Sequence, residues 1–136
     1  MKTYLERINE QTPTRMWVNN PTPSEAKKGL EAGTFGATSN PTYLSHMLKA
    51  EETKDAALSA IDRYVRMTED DHLVVALAYQ EMIAKIAEIF LPLFQETGGE
   101  KGWVAIQGNP YRDDDIDFIL QEAHRFYEIS PTIVVK

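Results

Sequence analysis

The sequence predicts an α/β fold with about four parallel strands and helices on their outer side. Three observations predict it. Short β-rich runs alternate with longer stretches of helical period. Three of those runs close on an Asn-Pro pair, at Asn20-Pro21, Asn40-Pro41 and Asn109-Pro110, a dipeptide that starts turns. The order is strand–helix, strand–helices, strand–helix, strand, which implies parallel strands joined by helical crossovers. Four such strands make half of a barrel or a small open sheet.

The elements follow in order. Residues 1–10 read as a short polar helix. A strand over 15–19, around Met16-Trp17-Val18, is closed by Asn19-Asn20-Pro21, because proline cannot continue a central ladder. Thr22 is placed as an N-cap, with Pro23 at the first helical position and Glu25 three residues after the cap. That helix ends near Gly33. A second strand runs over 34–38, and Ser39-Asn40-Pro41-Thr42 turns into a helix reaching about Ala50.

Two further helices are expected at 52–66 and 70–96. The second carries Val75, Tyr79, Met82, Ile86, Ile89, Phe90 and Leu93 on one stripe. Pro92 inside it predicts a kink or an early end. Gly98-Gly99 breaks the chain before a third strand at 103–107. Ile116, Ile119, Leu120, Ala123 and Tyr127 mark one face of a helix over about 113–128. Asp113, Asp114 and Asp115 sit at its start, where the helix dipole favours negative charge. The last strand is 132–136.

Composition bounds the function. The 136 residues form one domain, 1–136, with 43% hydrophobic and 26% charged residues, as in a globular chain. The net charge of −7 argues against a nucleic-acid or anionic-membrane surface. There is no cysteine, so a thiolate nucleophile and a cysteine-ligated metal are excluded. His46, His72 and His124 are widely spaced, so no metal site is expected. No apolar signal core or membrane-length run is present, and the expected compartment is the cytoplasm.

In parallel α/β folds the loops after the strands carry function. Here they hold Asn19-Asn20, Thr38-Ser39-Asn40, Gln107-Gly108-Asn109 and Lys136. Read without any relative, Asn40 is as good a helix cap as a ligand, Asn19-Asn20-Pro21 is a turn, and Gln107 suits a core hydrogen bond as well as a site.

The chain resembles the transaldolase family, of the type that includes fructose-6-phosphate aldolase. The resemblance rests on Trp17-Val18-Asn19-Asn20-Pro21-Thr22-Pro23-Ser24-Glu25, Gly36-Ala37-Thr38-Ser39-Asn40-Pro41-Thr42, Val104-Ala105-Ile106-Gln107-Gly108-Asn109-Pro110 and Ile133-Val134-Val135-Lys136, in the family's order. It implies the N-terminal half of a TIM (β/α)8 barrel. It implies Schiff-base transfer of a dihydroxyacetone unit between sugar phosphates, in carbohydrate metabolism and the pentose phosphate pathway, with no cofactor. Lys136 falls on the strand-four Schiff-base lysine, and Asn40 on a strand-two substrate contact flanked by Thr38 and Ser39. Asn19 stands where the family usually carries an aspartate for proton transfer. Gln107 stands where the better-known members have a glutamate.

The residue types fit that chemistry in part. A neutral lysine amine attacks the ketone, and the iminium is the electron sink for carbon–carbon cleavage. Attack calls for a lysine whose pKa is lowered by burial or a cationic neighbour. Asn19 and Gln107 are amides, which orient water or hydroxyls but take up no proton near neutral pH. The sequence stops at Lys136, where the second half of such a barrel begins. The expectation is therefore an incomplete or weakly active enzyme that self-associates or pairs with a C-terminal half-barrel. The rival expectation is a non-catalytic half-barrel that serves as a binding or assembly module.

Overall fold

A computed structural model describes residues 1–136. Its strands are β1 (Trp17–Asn19), β2 (Gly36–Thr38), β3 (Trp103–Ile106) and β4 (Ile133–Val135). They form one parallel sheet in the order β1-β2-β3-β4. The helices are α1 (Tyr4–Gln11), α2 (Pro23–Ala32), α3 (Tyr43–Lys49), α4 (Lys54–Val65), α5 (Asp71–Glu96) and α6 (Ile116–Ile129). The fold is the expected α/β arrangement, with each crossover advancing one strand across the sheet. The outer edges of β1 and β4 are unpaired.

The sheet's two faces differ. Ala37, Val104, Ile106 and Ile133 join the core built with Ala26, Tyr43, Met47, Ile83, Ile86 and Phe90 of the helices. Strand residues alternate between faces, so Gly36, Thr38, Ala105 and Val134 belong to the opposite face. Val134 is 39% exposed. α1 closes the N-terminal end of the sheet: Thr3 Oγ1 donates to Ala32 O, and Asn9 Nδ2 to Gly33 O.

The local signals around α2 are realised. Thr22 accepts from the Glu25 amide, Glu25 reaches back to the Thr22 amide, and Gly33 closes the helix in the left-handed region. Elsewhere the structure corrects the expectation. Pro92 neither ends nor divides α5, which runs on to Glu96. Pro92 and Glu88 both lie on the solvent side. The carbonyl of Glu88 that proline leaves without an intrahelical donor is therefore free to meet water. Within the stripe, Val74 is buried and Val75 is 49% exposed.

α6 departs further. It begins at Ile116, after a short 3₁₀ turn at Pro110–Arg112, because Asp115 caps it by accepting from the Phe118 amide. That backbone hydrogen bond, with Arg112, holds the Asp115 carboxyl below its ordinary pKa. The face expected to be core points outward, with Ile116, Leu120 and Tyr127 exposed. The helix docks instead through Glu122 and Phe126, both 2% exposed. No helix is long and apolar enough to cross a membrane.

Candidate functional site

The C-terminal ends of the four strands gather the candidate residues. Asn19 pairs with Thr38, Thr38 with Ala105, and Ala105 with Val134 across the sheet. The ladder continues one step beyond the strands. Asn20 N–H donates to Thr38 O, Ser39 N–H to Ala105 O, and Lys136 N–H to Ile106 O. Asn19, Thr38, Gln107 and Lys136 thus lie at one end of the sheet.

Lys136 follows Val135, which packs against the core, so alternation sends its side chain to the open face. There its Nζ donates to Thr38 Oγ1 at 3.1 Å, reaching across β3. Lys136 is exposed, and the mouth offers it no burial. Asn19 is exposed on the same face, and its side chain makes no hydrogen bond within the protein.

The other candidates are held in turns. Asn20 takes a left-handed conformation, with φ of 48°, and its Oδ1 accepts from the Asn40 amide at 3.2 Å. This joins the β1 loop to the β2 loop. Asn40 Oδ1 accepts from both the amide and the hydroxyl of Thr42, at 3.0 and 2.6 Å, and so sets up the entry to α3. Its Nδ2 makes no hydrogen bond within the protein.

Ser39 lies elsewhere. It is fully buried on the helix side, 2.7 Å from Tyr79 Oη, and donates to Ala105 O at 3.0 Å. Being adjacent to Thr38, it turns to the opposite face and supports the loop from behind. Gln107 also borders the helix side, where it lines a cavity between α5 and α6.

Two tyrosines organise these loops: Tyr79, which the sequence places only on the apolar stripe of its helix, and Tyr43, to which it gives no role. Tyr43 of α3 donates to Pro21 O at 3.0 Å, and Tyr79 of α5 meets Ser39 and accepts from the Gln107 amide at 3.4 Å. Their rings lie 5.6 Å apart, tilted by 50°. Burial raises the pKa of both, so both stay protonated. Ser39 spends its one proton on Ala105 O, so Tyr79 must donate to Ser39. The chain runs from Gln107 N–H to Tyr79, from Tyr79 to Ser39, and from Ser39 to Ala105 O. One buried hydroxyl thus ties the ends of β2 and β3 together. Tyr79→Phe removes it at nearly constant shape and leaves the Gln107 amide short of a partner. We expect a loss of about 1–3 kcal/mol of stability, read from the urea midpoint at unchanged slope.

The mouth combines a primary amine, a hydroxyl and amides. It can form an imine with a carbonyl compound and orient hydroxyl groups. It contains no carboxylate among the residues placed there, and no cluster of three or more metal-ligating side chains occurs in the protein. Set against known proteins, the chain matches no family model and no curated sequence.

Proposed function

We propose that the chain is a transaldolase-like half-barrel whose open mouth binds the carbonyl of a ketose phosphate through Lys136. The observation that carries this reading is the 3.1 Å contact of Lys136 Nζ with Thr38 Oγ1 at the C-terminal end of a sequentially ordered parallel sheet. In this reading Lys136 attacks the ketone as the free amine and expels water to give the iminium. Thr38 positions the amine and the departing hydroxyl. Asn19 and the free amide nitrogen of Asn40 hydrogen-bond the sugar hydroxyls, and Ser39 supports them through Tyr79.

Turnover is slow, for two reasons. The amine is exposed rather than buried, and the nearby side chains able to orient water carry no dissociable proton. Transfer from fructose 6-phosphate to erythrose 4-phosphate tests the reading. A slow conversion that falls to background in Lys136→Met, with an unchanged melting temperature, supports it. Equal rates in both proteins refute it.

A second reading is favoured by the unpaired edges of β1 and β4. These present open hydrogen-bonding groups that another parallel strand can extend. In this reading the chain is a binding or assembly module, and Lys136→Met leaves its association state unchanged.

A further inference from the structure

A second site lies behind the β3 loop, on the helix side of the sheet. It is a cavity of about 320 Å³, walled by Val75, Ala76, Tyr79, Pro110, Tyr111 and Phe126. That volume is at the lower end of the range of small-molecule sites. Lys136 does not reach it, so the cavity is separate from the mouth.

Its polar groups are unequally served. Glu122 is 2% exposed, but its carboxylate is already engaged. Oε2 accepts from the Asn109 amide at 2.9 Å, and Oε1 faces Arg125 Nη2 at 3.4 Å. No lysine or arginine lines the cavity. The remaining titratable wall besides the tyrosines is the exposed His72 ring, which lies 4.6 Å from the Tyr111 ring. With no lysine, arginine or unpaired carboxylate in its walls, the cavity disfavours strongly charged occupants.

Of the lining polar side chains that make no hydrogen bond within the protein, which include Gln107 and the exposed His72, Gln80 is the most buried. It is 7% exposed, it borders the cavity, and no hydrogen bond in the protein uses its carboxamide. Its amide atoms are not sealed from solvent, so water meets them where the cavity opens. A ligand that displaces this water without loss supplies an acceptor for the Gln80 N–H and a donor for its oxygen. Beside it stand the rings of Tyr79, Tyr111 and Phe126, which suit a flat apolar body.

We propose that this cavity binds a small, neutral, planar ligand that presents an amide-like edge, an adjacent N–H and C=O, to Gln80. The chemical class is that of lactams and pyrimidine-like rings. The site does not depend on the Schiff-base reading, and its test does not use Lys136.

The probe is 2-pyridone, followed by the side-chain amide resonances of ¹⁵N-labelled full-length chain. With about seven non-hydrogen atoms it should bind near 1 mM, shifting the Gln80 Nε2 resonances. Gln80→Met keeps the volume and removes the amide. It should weaken binding at least about tenfold, as expected for the loss of a paired hydrogen bond. Its melting temperature should be little changed, because the Gln80 carboxamide makes no hydrogen bond within the protein. Benzoate, of similar outline but lacking the donor–acceptor edge, should bind at least about tenfold more weakly than 2-pyridone. Absence of any Gln80 shift up to about 10 mM 2-pyridone overturns the proposal. So does equal binding to the Gln80→Met variant, or benzoate binding as tight as that of 2-pyridone. Should Gln80→Met fail to fold, the Gln80 resonance shift and the benzoate comparison in the unmodified chain decide the question alone.

Discussion

Gly36→Ala should destabilise the protein by about 3 kcal/mol, the upper end of what overpacking usually costs. Gly36 opens β2, between β1 and β3. A methyl group there would lie 2.4 Å from the carbonyl oxygen of Trp103 and 2.9 Å from the Trp17 ring. The oxygen belongs to the backbone of the adjacent strand and cannot swing away. The Trp17 ring is itself held beside Phe35, with centroids 6.3 Å apart. Relief therefore requires β2 to move away from β3, and each of these strands has only three or four residues with which to resist. For a chain of this size the loss corresponds to a melting temperature lower by roughly 10 °C. Gly98→Ala is the control. It carries a positive φ of 60° but has nothing within 4 Å of the added carbon, so it should cost only about 1 kcal/mol. Equal melting temperatures for the two variants would mean that β2 and β3 do not approach as described. Because Thr38 is two residues from Gly36 in the same strand, Gly36→Ala should also loosen the Lys136 contact.

The largest expected change in activity is a gain. On the proposed reading, Asn19→Asp puts an ionisable group at the end of β1, opposite Thr38 and on the face that Lys136 crosses. Positioned acid–base catalysis contributes about a hundred- to ten-thousand-fold. The conversion of fructose 6-phosphate should therefore rise by at least roughly a hundred-fold in kcat, with a smaller change in KM. The gain should depend on Lys136, since the carboxylate serves the imine chemistry and performs none alone. Asn19→Asp combined with Lys136→Met should return to background. A gain that survives removal of Lys136 would assign the reaction to another group.

The pattern of legibility in the sequence has physical causes. The cap Thr22-Pro23-Ser24-Glu25 is read from four adjacent residues because its hydrogen bonds are local. The four strand runs are read because turns and β-rich segments are also local. The apolar row Ile116, Leu120 and Tyr127 is a real helical face, but periodicity says only that a face exists. Which face docks is decided by Glu122 reaching the Asn109 amide and by Phe126 entering the core. Ser39 stands beside Thr38 in the sequence and opposite it in space. The period-two rule carries that information, although a motif read as a block conceals it. Tyr79 is 40 residues from Ser39, and no local signal joins them. It is legible only once α5 is packed on the sheet. The same holds for Gln80, whose lack of partners is a tertiary fact.

The helix side and the open side of the sheet thus divide the work. On the helix side, Tyr43, Tyr79 and Ser39 fix the three loops that follow β1, β2 and β3. On the open side, Asn19 and Lys136 are exposed and Thr38 is half-buried. On the proposed reading, buried hydroxyls behind the loops hold the polar groups in front of them in place.

The central claim is that Lys136 is the imine-forming residue, and borohydride reduction during incubation with fructose 6-phosphate tests it most directly. Peptide mapping by mass spectrometry should find the reduced sugar phosphate on Lys136, with adduct formation lost in Lys136→Met and diminished in Thr38→Val. Modification spread over Lys27, Lys28, Lys49 and the other surface lysines, with Lys136 no more reactive than they are, would contradict it.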